Sequence, residues 1–220
     1  MGIFSIFSTK TPEKITGTID SLLENIDKAL SVFKEGIKNY LYNDMAAFTG
    51  DISTIAEIET ESAALTHEIE SMLYSRGYLI RYRGDVMRLL ERLGHIVSII
   101  SVDLIQLEIE APKIPTELKK EFMKLAELAV LAAESSIPGT KVYFTDPENV
   151  HETTDRVYFY EKEAVKLSQS IKRTVFHDMD TLKLSEKFHL RYFALHIEDL
   201  ARAAAKVAEQ LSVMAIKRTL

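Results

Sequence analysis

Two Glu-x-x-His segments, Glu148-Asn-Val-His151 and Glu186-Lys-Phe-His189, carry the spacing by which ferritin-like proteins place di-iron ligands on two helices. Such a site also needs glutamates from two further helices, and no symmetric set accompanies these segments. Both also fall near predicted helix starts rather than mid-bundle, so the spacing is read against a di-iron oxidase. His95 and His196 lie beside apolar heptad positions, where a satisfied histidine at the edge of a core is the expected role. One stretch is both basic and aromatic: Tyr74-Ser-Arg76-Gly-Tyr78-Leu-Ile-Arg81-Tyr82-Arg83, followed by Arg88 and Arg92. That mixture suits stacked nucleobases, phosphate, anionic lipid headgroups or an acidic loop of a partner. It equally suits a solvated turn whose tyrosines cover helix ends and whose arginines pair with nearby acids. There is no Gly-rich phosphate loop, no Gly-x-Ser-x-Gly elbow and no His-Glu-x-x-His run, and the chain has only eight glycines. The expectation is a binding protein and no enzyme.

The elements that must position these residues are helices, because apolar residues recur at alternating steps of three and four. Thr11-Pro12-Glu13 supplies a cap, a proline at the first helical position and an early acid, which starts a first helix running from about Pro12 to Tyr42. Its stripe is Ile19, Leu22, Ile26, Leu30, Phe33 and Ile37. A second helix carries Ile55, Ile58, Ser62, Leu65, Ile69 and Met72; it begins at Asp44 or Asp51 and ends at Gly77. The third holds a heptad from Val86 through Leu90, Leu93, Val97, Ile100 and Leu104 to Leu107, until Pro112 and Pro115 stop it. A short alanine-rich fourth helix spans about 116–135, and Ile137-Pro138-Gly139-Thr140 is expected to open a loop reaching Asp146. Pro147 opens a fifth helix with Val157, Tyr160, Ala164, Leu167, Ile171 and Val175. A sixth carries Leu190, Phe193, Ile197, Leu200, Ala204, Val207, Leu211 and Met214.

Self-similarity groups these helices into two units. Glu59-Thr-Glu61-Ser-Ala63 and Glu161-Lys-Glu163-Ala-Val165 lie 102 residues apart, and each is followed by a helix bearing His-Ile, at His95-Ile96 and His196-Ile197. One repeat occupies about 12–111 and the other about 115–218, within a single domain over 1–220.

Composition limits the function classes. At 220 residues and 46% hydrophobic content the chain can bury a sizeable core. Without cysteine there is no disulfide frame and no thiolate zinc site, so a metal would sit on oxygen or imidazole. A net charge of -6 argues against nucleic acid as a partner. Charged residues interrupt every hydrophobic run before it reaches the length of a membrane span. The first ten residues lack a signal-peptide core, and Ile6 breaks the myristoylation pattern. A cytoplasmic protein is expected. Ile3, Phe4, Ile6 and Phe7 are expected to pack on their own bundle, with docking on a partner or membrane surface as the other reading.

The duplicated Glu-x-Glu runs and the two three-helix units resemble the PhoU-like phosphate-transport regulators over nearly the whole chain, especially the stand-alone branch associated with Pit-type phosphate permeases. The resemblance implies an all-α bundle of two pseudo-symmetric three-helix repeats. It also implies a cytoplasmic regulator or accessory of inorganic phosphate transport, peripheral at the inner face of the membrane. Its partner would be a phosphate permease or another membrane-associated protein; apart from the resemblance, the small residues Ala203, Ala204, Ala205 and Ala208 leave room for close helix contact and allow a homo-dimer. In the family the carboxylates of such runs are implicated in binding metals, so Glu59 and Glu161 are the candidate ligands for a divalent or iron-type metal. The chain departs from the pattern where the family has an aspartate: Ala63 and Val165 stand there and ligate nothing. Most acids of the third helix of each repeat are missing or displaced. Two acids four residues apart converge on a cation from one helix face, whereas one per helix leaves too little charge to strip a metal of water unless Glu57, Glu61, Glu163, Glu198 or a histidine joins in. Glu59 and Glu161 are therefore expected on solvated faces or paired with lysine and arginine. A metal-free scaffold or oligomerisation protein is the alternative function.

Overall fold

The computed structural model describes residues 13–75, 79, 81–146 and 149–219. The described residues form seven α-helices: α1 (Glu13–Leu41), α2 (Met45–Ser75), α3 (Arg83–Glu110), α4 (Lys119–Glu134), α5 (Ser136–Thr145), α6 (His151–His177) and α7 (Leu184–Thr219). A 3-10 turn at Thr116–Leu118 leads into α4. No strand occurs among the described residues, and none of their helices is long and apolar enough to cross a membrane.

The three-four periodicity sets which faces meet. The α3 heptad from Val86 to Leu107 is buried throughout, as are the α1 stripe and the α7 stripe from Leu190 to Met214. Each such leucine, isoleucine or phenylalanine contributes about 1.5–3 kcal/mol by leaving water. Helices α1, α2 and α3 pack on one another, and so do α4, α6 and α7. The two groups join where α1 meets α4 and α3 meets α7, so one core runs through the chain. Ala126, Ala129 and Ala133 of α4 and Ala201, Ala204 and Ala208 of α7 are all buried, small residues that let helix backbones approach closely.

Helix ends follow from local chemistry. Asn43 adopts φ 65, and Asp44 caps α2 by accepting the Ala47 N–H at 3.1 Å. Gly50 lies inside α2, so Thr49-Gly50-Asp51 is no break; Asp51 accepts the Asn39 side-chain amide at 2.8 Å instead. Ala111 closes α3 in the left-handed conformation, its N–H donating to the Leu107 carbonyl at 3.1 Å. The Tyr40 hydroxyl then donates to the Pro112 carbonyl at 2.8 Å and fastens the inter-repeat linker to α1.

The expected loop from Ile137 to Asp146 is helical, as α5. Pro138 falls in its first turn, where the missing N–H costs nothing. Gly139 supplies closeness rather than a turn: a Cβ there would stand 2.6 Å from the Thr153 hydroxyl of α6. The predicted cap and proline at Thr11 and Pro12, the hydrophobic Ile3, Phe4, Ile6 and Phe7, Gly77 and Pro147 lie outside the described residues.

Candidate functional site

The seam between α3 and α7 gathers most of the polar residues capable of chemistry. Asp103 takes a stripe position on α3, three residues after Ile100 and four before Leu107, and is buried with them. Across the seam His196 of α7 meets it, with Nδ1 2.9 Å from the Asp103 Oδ1. One heptad further along each helix, Glu110 and His189 repeat the pair at 2.6 Å. Antiparallel helices with matched heptads place the two pairs in register. The Tyr192 ring lies 4.1 Å from that of His196.

Electrostatics differ from a solvated pair. Burial pushes the Asp103 carboxyl upward, opposed by the hydrogen bond and charge of His196. The same hydrogen bond raises His196 above its ordinary value, against its own partial burial. Asp103 Oδ2 is buried and has no hydrogen-bond partner among the described residues. His196 and Asp103 line a groove of about 520 Å³ that also touches Arg92, His95, Arg202 and Lys206. Arg92, Arg202 and Lys206 are already engaged. Arg92 donates to the Lys206 carbonyl and stands 4.0 Å from Glu209, Lys206 donates to Glu209 at 3.0 Å, and Arg202 is bound to Glu198. The groove is therefore charge-balanced rather than a built anion site.

A second polar cluster lies between α6 and α7. Glu198 is buried, yet burial does not neutralise it. Desolvation acts to raise its pKa, but hydrogen bonds from Ser168, Arg202 and Lys172 outweigh that and hold the carboxyl below its ordinary value. The single Ser168 proton is shared with the Ala194 carbonyl, 3.2 Å away. Lys172 Nζ donates to Oε2 at 3.1 Å, and Arg202 Nε donates to Oε1 at 2.8 Å, with a second guanidinium N–H on the same oxygen.

The candidate ligand Glu161 sits at the rim of this cluster, its Oε1 4.0 Å from Arg202 Nη1. Glu59 is half-buried on α2 and Glu61 exposed, while Glu163 pairs with Lys166 at 2.5 Å. No group of three or more His, Cys, Asp or Glu able to hold a metal occurs among the described residues. Of the Glu-x-x-His segments, Glu148 and the side chain of His151 lie outside the described residues, and His189 is engaged by Glu110. His95, expected at the core edge, is exposed on the groove rim, because it lies one position off the buried Ile96. At the basic, aromatic stretch Arg76, Tyr78 and Ile80 lie outside the described residues. Arg83 lies over the Tyr74 ring at 4.6 Å, and Arg218 of α7 approaches Tyr82 at 5.7 Å. Asp103 escaped the sequence reading and Glu198 entered it only as a possible additional metal ligand, although each breaks an apolar phase: Glu198 lies four after Ala194 and three before Ala201, both buried.

No family model matches the chain. Two curated relatives are similar along almost their whole length. A UPF0111 protein of Thermotoga maritima is 25% identical over 216 residues, covering 96% of this chain and 98% of the relative. A UPF0111 protein of Pyrococcus horikoshii is 21% identical over 206 residues, covering 94% and 97%. Among solved structures, a PhoU-like protein of Shewanella oneidensis MR-1 superposes with a TM-score of 0.81 at 17% identity, covering 92% of this chain and 99% of that one. A second protein of that organism, named as a PhoU-like phosphate regulatory protein, gives 0.79 at 15% identity with the same coverage. The chain has the PhoU-like fold: an all-α bundle built from two three-helix repeats, with the short α5 added to the second.

Proposed function

We propose that this chain is a cytoplasmic regulator or accessory of inorganic phosphate transport that acts by protein contact at the inner face of the membrane, with a phosphate permease as partner. The observation that carries this reading is the end-to-end match to the PhoU-like fold, which includes a protein named for phosphate regulation. The site chemistry fits a binding role: both carboxylate oxygens of Glu198 are spent on the chain's own cations and His196 on Asp103, which suits a rigid adaptor better than a reaction centre. Apolar residues left in water beside the groove offer a contact surface. Ile105 and Ile109 of α3 and Phe188 and Tyr192 of α7 are exposed, and Ile109 is 69% so.

Phosphate uptake by cells lacking the protein tests the proposal, with the cognate permease as the sole route. Uptake and its response to external phosphate should both change. If they are the same with and without the protein, the transport reading fails. The second reading, a metal-free scaffold or homo-dimer, draws on the same exposed residues; a chain that is monomeric by light scattering would remove the dimer.

A further inference from the structure

We propose that the Glu161 and Glu198 carboxylates are held by the chain's own cations, Arg202 and Lys172, and that this centre is closed to metal ions. The family resemblance makes Glu161 a metal ligand, and the residues around it do not fit that role. Glu198, which lies on α7 one turn before Arg202, has committed both oxygens: Oε1 to Arg202 at 2.8 Å and Oε2 to Lys172 of α6 at 3.1 Å. The same guanidinium reaches Glu161 at 4.0 Å, so it faces both carboxylates at once. A metal bridging those carboxylates would have to share their oxygens with two fixed positive charges.

Among the described residues no third acid or histidine joins these two in a group able to hold a metal. One turn on from Glu161 stands Val165, which has no lone pair. The one helical turn that separates Glu198 from a second side chain on its own face brings Arg202 instead of an acid. Arginine and lysine together supply two positive charges, matching the two carboxylates as a divalent ion would. A guanidinium does not titrate in the physiological range and does not dissociate from its own chain. The centre is thereby neutral, permanent and insensitive to metal supply.

Manganese titration of the full chain tests this, by calorimetry and by the electron paramagnetic resonance of free Mn2+. The parent should show no saturable Mn2+ site that depends on Glu161 or Glu198. Arg202→Ala should raise Mn2+ affinity by about tenfold or more, the scale on which a neighbouring charge alters what a carboxylate binds. Adding Glu198→Gln to Arg202→Ala should abolish the gain. The Arg202 side chain is half in water, so its removal leaves the core intact, and Lys172→Gln provides a second variant with the same expectation. One Mn2+ per parent chain, lost in Glu161→Gln, would overturn the proposal; so would equal Mn2+ affinity in the parent and both cation variants. Neither result bears on phosphate uptake, so this inference and the transport reading fail separately.

Discussion

The two copies of the duplicated unit treat the same helical seam in opposite ways. In the second copy Glu198 lies buried between α6 and α7, ringed by Lys172 and Arg202, with Glu161 at the rim. In the first copy the α3 residues 101 positions earlier are Val97 and Ser101, both buried and both uncharged. The scaffold therefore tolerates either a paired charge or no charge at that depth. A buried ion pair gains little over well-packed apolar groups, while half of one is strongly destabilising. Difference between the copies thus costs the fold almost nothing so long as each seam stays internally matched.

Mismatching a seam gives the largest effects. Val97→Glu places a carboxylate in the first copy without a lysine or arginine to receive it, and should cost about 4 kcal/mol of stability. Glu198→Ala leaves Lys172 and Arg202 facing one another across the second copy and should cost about 3 kcal/mol. Urea denaturation measures both; if Val97→Glu is the milder change, the contrast between the copies is misdrawn.

The α3–α7 seam, where the copies meet, adds a pH dependence that neither possesses alone. His196 is raised above its ordinary 6.5 by its bond to Asp103, with Asp199 and Glu110 adding in the same direction. Its folded-state pKa exceeds the unfolded one, so its contribution is complete below 6.5 and is lost as pH climbs through the folded value. Asp103, raised by burial, has the same sign, its contribution being lost as pH climbs through a folded pKa above its ordinary 3.8. Glu198, lowered, has the opposite sign: its contribution is present above 4.5 and is lost as acid reaches the folded pKa. Denaturation midpoints of the parent should therefore fall from pH 6.5 upward, and His196→Asn should flatten that slope. Parallel curves would show that the pair does not couple the halves.

The smallest effect belongs to the linker between copies. Ala111 holds φ 40 at the α3 C-cap, a conformation that strains any side chain. Ala111→Gly should raise stability by about 0.5 kcal/mol in the same assay; a loss would mean that freeing the linker outweighs relieving the strain.

The stripes were legible because a buried helix face imposes its period on the chain, and the heptad positions from Val86 to Leu107 obey it, with Asp103 the one charge buried beside them. Helix α5 was not, because Ile137-Pro138-Gly139 has the composition of a turn; only the neighbouring Thr153 reveals that the glycine is there for space. Pairing across helices leaves no mark along the chain. His196 and Asp103 are 93 residues apart, and Glu198 finds Lys172 on another helix, 26 positions back. Interruption of a buried phase by Asp103 and Glu198 was the available signal. It says that a charge is buried and does not say by what it is met.

The end of the chain reaches back to its middle. Lys217, in the last turn of α7, donates to Asp85, in the first turn of α3, at 2.8 Å across 132 residues, and Arg218 donates to the Tyr143 carbonyl at 3.0 Å. A ribosome making this protein releases α3 long before its partner helix exists, so the α3 face destined for α7 stays open in the nascent chain until the final turn emerges. Docking of α7 on α3 therefore has to follow the making of α7, and a chain stopped before Lys217 would leave the start of α3 unfastened.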